Sequence, residues 1–175
     1  MTPVYFDTSV FLAVLAKQPQ AAQVRGLLNE LKADKIRIYT SILTVQEASV
    51  SSFMHGNMFA DPHSKIARLA RIATVTRDIA MTAAKFEAVV LSAAKLSMTK
   101  PQYDQIADNR RRKFDCFHLA TAVSLGCANF YAFDDKFEKR CATLGLALRV
   151  LEPQASKPSL PFPAGPLGIV PPQSV

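Results

Sequence analysis

Two acidic residues come directly after predicted strands, at the points where the chain turns into a helix. Asp7 follows the apolar run Val4-Tyr5-Phe6, and Asp134 follows an aromatic-rich run over residues 129–133. Parallel sheets place their active sites beyond the carboxyl ends of their strands. We therefore expect both carboxylates to point into the same crevice.

Two further acids lie in apolar surroundings. Glu47 is the only charged residue in the stretch 42–50, in the first turns of a predicted helix. Asp115 is predicted to open a helix over residues 114–125 that is apolar nearly all round and therefore buried. A carboxylate in such surroundings is unfavourable unless its charge is compensated. The amino terminus of the helix offers part of that compensation, and a metal ion would offer more.

Together, these four acids predict a divalent-cation site. Hard ions such as Mg²⁺ and Mn²⁺ prefer carboxylate oxygens as ligands. Two such ions roughly 3.5 to 4 Å apart can activate water and stabilise the leaving oxygen in phosphodiester hydrolysis. Each acid taken singly is better explained as a helix cap or a surface ion pair. The prediction therefore depends on their joint placement.

The segments around these acids alternate between strand-like and helix-like patterns. Predicted strands cover residues 4–6, 36–39, 74–76, 129–133 and 146–151, with helices between them. A chain with this alternation predicts a parallel sheet covered by helices on both faces, an α/β sandwich.

Composition sets the class of protein. The chain has 175 residues, 49% of them apolar, and a formal charge of +7, which is enough for one domain with a core and excludes a disordered chain. No run approaches the roughly 18 to 20 apolar residues of a membrane span. The start of the chain lacks the basic leading segment of a secretory signal, so we expect a cytoplasmic protein. Three cysteines without CxxC spacing predict neither a disulfide framework nor a zinc site.

The carboxyl-terminal end differs from the rest. Residues 153–175 contain seven of the eleven prolines and a single charge, Lys157. Proline at that density forbids regular helix or sheet. We therefore expect a folded domain over residues 1–152 and a proline-rich tail over 153–175, serving either as a docking strip for a partner or as an idle extension.

Four segments carry a family pattern. They are Val4-Tyr5-Phe6-Asp7-Thr8-Ser9-Val10-Phe11-Leu12, Thr44-Val45-Gln46-Glu47, Asp115-Cys116-Phe117-His118-Leu119-Ala120-Thr121-Ala122 and Phe133-Asp134-Asp135-Lys136-Phe137. In this order they resemble the PIN-domain family, close to the VapC-type toxins, over about residues 4–151. The resemblance implies a three-layer α/β/α sandwich with a central, mostly parallel sheet. It also implies a metal-dependent ribonuclease that is usually dimeric and, in toxin systems, is inhibited by a small antitoxin from the same operon.

The resemblance also assigns residues. It implies that the catalytic and metal-binding acids are Asp7, Glu47, Asp115 and Asp134. Ser9 matches the small polar residue that supports them, and Asp135 could share the role of Asp134. The family commonly has Thr or Ser two residues before the last acid, where this chain has Ala132.

The densest charge run is basic and ends two residues before Asp115. It consists of Arg110, Arg111, Arg112 and Lys113. A phosphate backbone at an acidic metal site must be held by positive charge, so we expect this run to bind RNA. The alternative is a solvated loop that offsets the repulsion among the acids or meets an acidic partner.

His118 lies three residues after Asp115, on the same face of the predicted helix. It could orient that carboxylate from the second shell or take part in proton transfer. The alternative is a packed histidine with one satisfied ring nitrogen.

Two functions follow from these patterns. The first is an endoribonuclease dependent on Mg²⁺ or Mn²⁺, acting on RNA as a homodimer and, as the toxin of a type II pair, bound by an antitoxin. The second is a catalytically weak PIN-like module that binds RNA or protein and docks a partner through its tail, with Ala132 marking a decayed site. Neither function involves a membrane.

Overall fold

Five short strands form one parallel sheet in the computed structural model, which describes residues 2–56, 60–102 and 110–154. The strands are β1 (Val4–Phe6), β2 (Ile38–Ser41), β3 (Arg71–Ala73), β4 (Asn129–Tyr131) and β5 (Arg149–Leu151). Their order across the sheet is β3-β2-β1-β4-β5, and all four neighbouring pairs are parallel. The predicted parallel sheet is confirmed.

Helices cover both faces of this sheet. They are α1 (Thr8–Leu15), α2 (Ala21–Ala33), α3 (Ile42–Met54), α4 (Pro62–Ala67), α5 (Arg77–Ser97), α6 (Arg110–Ser124) and α7 (Lys136–Leu144). Side chains alternate across a strand, so Val4 and Phe6 of β1 pack in the core cluster with α1 and α2, whereas Tyr5 packs in the cluster with α6 and α7. The fold is therefore the expected α/β/α sandwich.

The central strand fixes where the first acid emerges. All three residues of β1 are buried, as expected for a strand with neighbours on both sides and helices on both faces. β1 and β4 end at the same level, because Phe6 pairs with Tyr131. The amide of Asp7 then donates to the carbonyl of Tyr131 at 3.0 Å. The chain therefore leaves both strands at one point on the carboxyl edge of the sheet.

The bounds of most predicted strands shift by two or three residues, and two elements differ most. The third strand lies at Arg71–Ala73 rather than at 74–76, because pairing with Tyr39 to Ser41 outweighs the stronger strand propensity of Thr74-Val75-Thr76. The buried helix begins at Arg110 rather than at Phe114, so the basic run forms its first turn. The polar character of that run made it look like loop.

The proline-rich tail lies almost wholly outside the described residues, which end at Gln154, so the predicted boundary at 152/153 stays a prediction. Cys116, Cys127 and Cys141 are free and buried, as expected of unpaired thiols. Within the described ranges, no helix combines the length and apolar character that crossing a bilayer requires.

Candidate active site at the carboxyl edge of the sheet

All four predicted acids line a single cavity, of about 590 Å³, at the carboxyl edge of the sheet. We call it the acidic cavity. Four separate elements bring them there: Asp7 follows the end of β1, Glu47 lies in the second turn of α3, Asp115 lies in the second turn of α6, and Asp134 lies in the segment after β4. The joint placement on which the sequence prediction depended is therefore present in the fold.

Asp7 is held by the residue that the sequence analysis named as its support. Asp7 caps α1, and its Oδ2 accepts from the Ser9 amide at 3.0 Å and from the Ser9 hydroxyl at 2.8 Å. Ser9 Oγ in turn accepts from the amide of Phe133 at 3.2 Å. Ser9 therefore ties Asp7 to the segment that carries Asp134. Ala132 is buried in the core, so this tie does not depend on a hydroxyl at that position.

Glu47 is positioned by threonines that the sequence analysis did not single out. Thr8, the first residue of α1, donates a hydrogen bond to Glu47 Oε2. Behind it, Thr8 Oγ1 lies 3.3 Å from Thr44 Oγ1, which lies 2.7 Å from Thr40 Oγ1. Thr40 donates to the carbonyl of Phe6 at 2.8 Å. This buried hydroxyl chain links α1, α3 and β2 behind the carboxylate.

His118 contacts different acids from the one predicted. Its Nε2 donates to Glu47 Oε2 at 3.0 Å and lies 3.9 Å from Asp7 Oδ1, while its Nδ1 lies 2.7 Å from the Tyr5 hydroxyl. The expectation that His118 orients Asp115 is wrong, because the ring contacts Tyr5, Asp7 and Glu47, whereas Asp115 pairs with Arg140. The alternative of a packed histidine agrees with its 1% exposure, but both ring nitrogens are engaged rather than one.

The pKa values of this buried pair move in opposite directions. Burial alone would lower the pKa of His118, but the hydrogen bond with Glu47 and the charges of Asp7 and Glu47 raise it. Burial alone would raise the pKa of Glu47, but the hydrogen bond and charge of His118 and the hydrogen bond from Thr8 lower it. Both shifts favour an imidazolium beside a carboxylate. Burial also raises the pKa of Tyr5, which keeps its hydroxyl protonated.

Asp115 is compensated by a side chain rather than by a helix terminus. Because α6 includes Arg110, Asp115 lies at least in its second turn. The unpaired amides of a helix are confined to its first four residues, so they do not surround Asp115. Its carboxylate instead forms an ion pair with the guanidinium of Arg140 on α7. Both side chains are largely buried, and the pKa of Arg140 is lowered by that burial and by the charge of Arg112.

The two adjacent acids after β4 have different surroundings. Asp134 lines the acidic cavity, and its Oδ1 accepts from the amide of Lys136 at 3.0 Å. Asp135 is 79% exposed and pairs with Lys139 at 3.6 Å, one turn further along α7, without lining the cavity. This geometry favours Asp134 as the fourth acid.

The basic run divides in the structure. Arg112 is 3% exposed, and its Nη2 pairs with Glu87 of α5 at 2.7 Å, so the expectation that Arg112 is displayed to RNA is wrong. Since the run forms a helical turn, one of its members must face the neighbouring helix. Lys113 is exposed. The side chains of Arg110 and Arg111 lie outside what the structure describes, so their expected role on RNA stays a prediction.

The donor chemistry of the acidic cavity fits a hard divalent cation. Four carboxylates and the hydroxyls of Thr8 and Ser9 line it, and oxygen is the donor that Mg²⁺ and Mn²⁺ prefer. In the described ranges, no three His, Cys, Asp or Glu residues are close enough to hold an ion as they stand. Three of the acids are engaged with protein cations, at His118, Arg140 and Lys136. An ion would therefore have to replace some of these contacts.

Every described basic side chain that lines the acidic cavity has an acidic partner. Arg112 pairs with Glu87, and Arg140 with Asp115. Lys136 and Lys139 pair with the adjacent acids Asp134 and Asp135. The described lining residues therefore include no unpaired base, and two of the bases pair with acids that do not line the cavity, Glu87 and Asp135.

Three residues that contribute to the site were not predicted from the sequence. Thr8 follows Asp7 directly, so its place at the strand end was a signal that could have been used. Tyr5 was assigned only to the strand. Because side chains alternate along a strand, it faces the opposite side of the sheet from Val4 and Phe6, and this alternation was a signal that could have been used. Arg140 carries no local signal, because its partner Asp115 lies 25 residues away on another helix.

Comparisons with known proteins give a family and a fold. The PIN domain model matches residues 4–142. Among solved structures, VapC20 of Mycobacterium tuberculosis, described as a sarcin-ricin loop cleaving toxin, superposes with a TM-score of 0.50 at 19% sequence identity. The match covers 78% of this chain and 93% of that chain, and at this identity it shows the fold alone. No curated protein matches the chain.

Proposed function

The chain belongs to the PIN-domain family, and from that premise we propose that it is a ribonuclease that hydrolyses RNA phosphodiester bonds with Mg²⁺ or Mn²⁺. The observation that carries the proposal is the convergence of four carboxylates, from four separate elements, on one cavity. Four carboxylates that line one cavity, in a chain of net charge +7, favour a divalent cation as their ligand. Hydrolysis of a polyanion is the chemistry that such an occupant supports.

The residues around the acids would keep them in place for this chemistry. Ser9 fixes Asp7, while Thr8 and His118 fix Glu47 from two sides. Asp7, Glu47, Asp115 and Asp134 would hold the ion, which supplies activation of water and stabilisation of the leaving oxygen. Arg140 is then released from Asp115 and is near enough to the cavity to meet a phosphate.

The second function, a binding module with little catalysis, is supported by a different observation. Glu47, Asp115 and Asp134 already contact His118, Arg140 and Lys136, so three of the four acids have a cationic partner without a metal. A decayed site would keep the fold and this internal pairing. The two functions differ in whether the carboxylates bind Mn²⁺ and whether removing one changes cleavage.

The partners follow from the family resemblance. We propose that the chain acts as the toxin of a pair in the cytoplasm and is inhibited by an antitoxin, which a short neighbouring gene would encode. A homodimer is supported by α3, on which Val50, Phe53 and Met54 are exposed at helical spacing. An apolar cluster of this kind commonly marks an interface. Light scattering after size exclusion should give the mass of two chains.

Cleavage by the variant Asp7→Asn tests the proposed reaction. Asparagine keeps the cap of α1 but removes the ligand charge, so the rate should fall by more than about 100-fold, since even residues that only orient metal ligands contribute about 10- to 100-fold. The melting temperature should change little. Cleavage of a labelled RNA with added Mn²⁺, followed over time, gives the rate.

The matched control is Asp135→Asn. It makes the same chemical change in an exposed residue that does not line the acidic cavity. It should retain full activity, and EDTA should abolish cleavage by both the unmodified protein and this control. Full activity in Asp7→Asn, or cleavage that EDTA leaves unchanged, would rule out the proposed mechanism.

A further inference from the structure

A second cavity, of about 540 Å³, lies at the opposite edge of the sheet, where β2 and β3 begin. Helix α2 contributes to one wall of this cavity, and the segment after α4 contributes to another. Its basic lining residues are Arg25, Lys32, Arg37, Arg68 and Arg71. We call it the basic cavity. Neither the family match nor the proposed reaction assigns it a role.

The five basic residues are exposed, and none of them is within ion-pair distance of a carboxylate in the described ranges. The described lining residues of the basic cavity include no acid either. The pKa of Asp61 is lowered mainly by hydrogen bonds with Ser64 and only slightly by Arg68. Five like charges around one cavity repel each other, so a bound anion would lower the free energy of this arrangement.

The acidic cavity has the opposite charge balance. Its described bases all lie within ion-pair distance of an acid, so each would have to leave that partner to contact a phosphate backbone. A ribonuclease nevertheless needs unpaired positive charge to bind RNA, because affinity for nucleic acids comes largely from neutralised phosphates. Of the two cavities, the basic one provides it.

We propose that the basic cavity is an RNA-binding exosite that holds the phosphate backbone of single-stranded RNA away from the point of cleavage. This inference rests on the proposed ribonuclease function. Four of the five basic residues are arginines, whose planar guanidinium donates two parallel hydrogen bonds to a phosphate. No aromatic side chain is among the described residues that line the cavity, so these residues offer no stacking surface for bases and binding should be independent of sequence.

The two cavities lie at opposite ends of the strands, so an RNA molecule that occupies both must span at least the length of the strands. β2 has four residues and β1 has three, so the sheet is roughly 10 to 13 Å deep along the strands. A strand of several nucleotides is long enough to pass from one edge to the other. A substrate of one or two nucleotides would occupy the acidic cavity alone.

The test compares two double variants that each remove two positive charges. Arg37→Gln/Arg71→Gln changes the basic cavity, and Lys85→Gln/Arg149→Gln is the control. Arg71 and Arg149 are matched, because each is exposed and begins an edge strand, on opposite sides of the sheet. Binding of a fluorescent oligouridylate is measured by anisotropy in EDTA at several salt concentrations, so that no cleavage occurs.

The basic-cavity variant should bind oligouridylate at least about tenfold more weakly at low salt, and the control should change less than about threefold. The slope of log affinity against log salt should fall by about 1.4 in the basic-cavity variant, since each phosphate contact on a single strand contributes about 0.7. With Mn²⁺, the basic-cavity variant should have a raised KM on long RNA and unchanged cleavage of a dinucleotide.

Equal RNA affinity in the two double variants would overturn the proposal. So would unchanged RNA affinity together with a loss of polyglutamate binding in the basic-cavity variant alone, which would assign the cavity to an acidic protein partner. The binding measurement is independent of catalysis. If Asp7→Asn cleaves RNA normally but the basic-cavity variant loses RNA affinity, the proposed reaction fails and the exosite stands.

Discussion

The two cavities of the molecule differ in how their charges are satisfied. In the acidic cavity, four carboxylates face four bases, and each described base has an acidic partner within the protein. In the basic cavity, five exposed bases have no such partner in the described ranges. The comparison shows that the formal charge of +7 is not spread evenly. Paired charge stabilises the fold at one edge of the sheet, whereas unpaired charge is available to a ligand at the other.

The largest effect is expected when an ion pair beside the acidic cavity is broken. Arg112→Met leaves Glu87 without its partner, so the free energy of unfolding should fall by about 2 to 4 kcal/mol, slightly below the cost of breaking a fully buried pair because Glu87 is partly exposed. RNA affinity should change little. Urea unfolding and oligouridylate anisotropy give the two quantities.

The control for this change is Lys113→Met, the next residue along the helix. Lys113 is exposed, so its loss should leave stability nearly unchanged. Adding Glu87→Gln to Arg112→Met should recover part of the lost stability. A stable Arg112→Met protein that binds RNA poorly would contradict the assignment of Arg112 to the interior and favour the role predicted from the sequence.

The next effect concerns the pair that a metal would disrupt. Arg140→Gln removes the cation beside Asp115 and should lower the free energy of unfolding in EDTA by about 1 to 3 kcal/mol, as expected for a hydrogen bond between charged groups. Mn²⁺ can then take the place of the guanidinium. The melting temperature should therefore rise more on adding Mn²⁺ than it does in the unmodified protein.

Lys136→Gln is the comparison variant, because Lys136 pairs with Asp134 through exposed side chains. Its stability and its response to Mn²⁺ should both be close to those of the unmodified protein. Identical Mn²⁺ responses in Arg140→Gln and the unmodified protein would show that Arg140 and the ion do not compete for Asp115.

The smallest effect is a pH dependence of stability, on the order of 1 kcal/mol for one hydrogen-bonded pair. Glu47 has a lowered pKa in the folded state, so its contribution is present above about 4.5 and is lost as the pH falls through the folded value. His118 has a raised pKa, so its contribution is present below about 6.5 and is lost as the pH rises through the folded value. In EDTA, the free energy of unfolding should therefore be greatest between roughly pH 4.5 and 6.5.

His118→Asn should remove the decline on the alkaline side, whereas the same change at the exposed His55 should leave it. A pH profile of stability that is the same with and without His118 would contradict the assignment of the alkaline decline to its imidazole. Urea unfolding at a series of pH values provides the profile.

The sequence predicted the acids well because strand ends are local signals. Asp7 and Asp134 follow short apolar runs, and Glu47 is a lone charge in an apolar helix. What compensates the acids was predicted poorly, because Asp115 and Arg140 lie on different helices, and so do Glu47 and His118. Such pairs are set by the packing of α3, α6 and α7 around the sheet, which no spacing along the chain records.

The basic cavity was also invisible in the sequence. Its five bases are spread from Arg25 to Arg71, with no dense run among them. The dense run at residues 110–113 drew the prediction instead, and there Arg112 is buried in an ion pair. Charge density along the chain therefore did not reveal that Arg112 is a buried member of that run. Parallel pairing of β2 with β3 brings the dispersed bases together.

Binding of Mn²⁺ to the protein, followed by the electron paramagnetic resonance signal of the free ion, tests the central claim most directly. The claim is that the acids of the acidic cavity form one metal site. The unmodified protein and Asp135→Asn should bind Mn²⁺ equally well, and Asp7→Asn should bind it at least about tenfold more weakly. Equal binding by Asp7→Asn and Asp135→Asn would contradict the account.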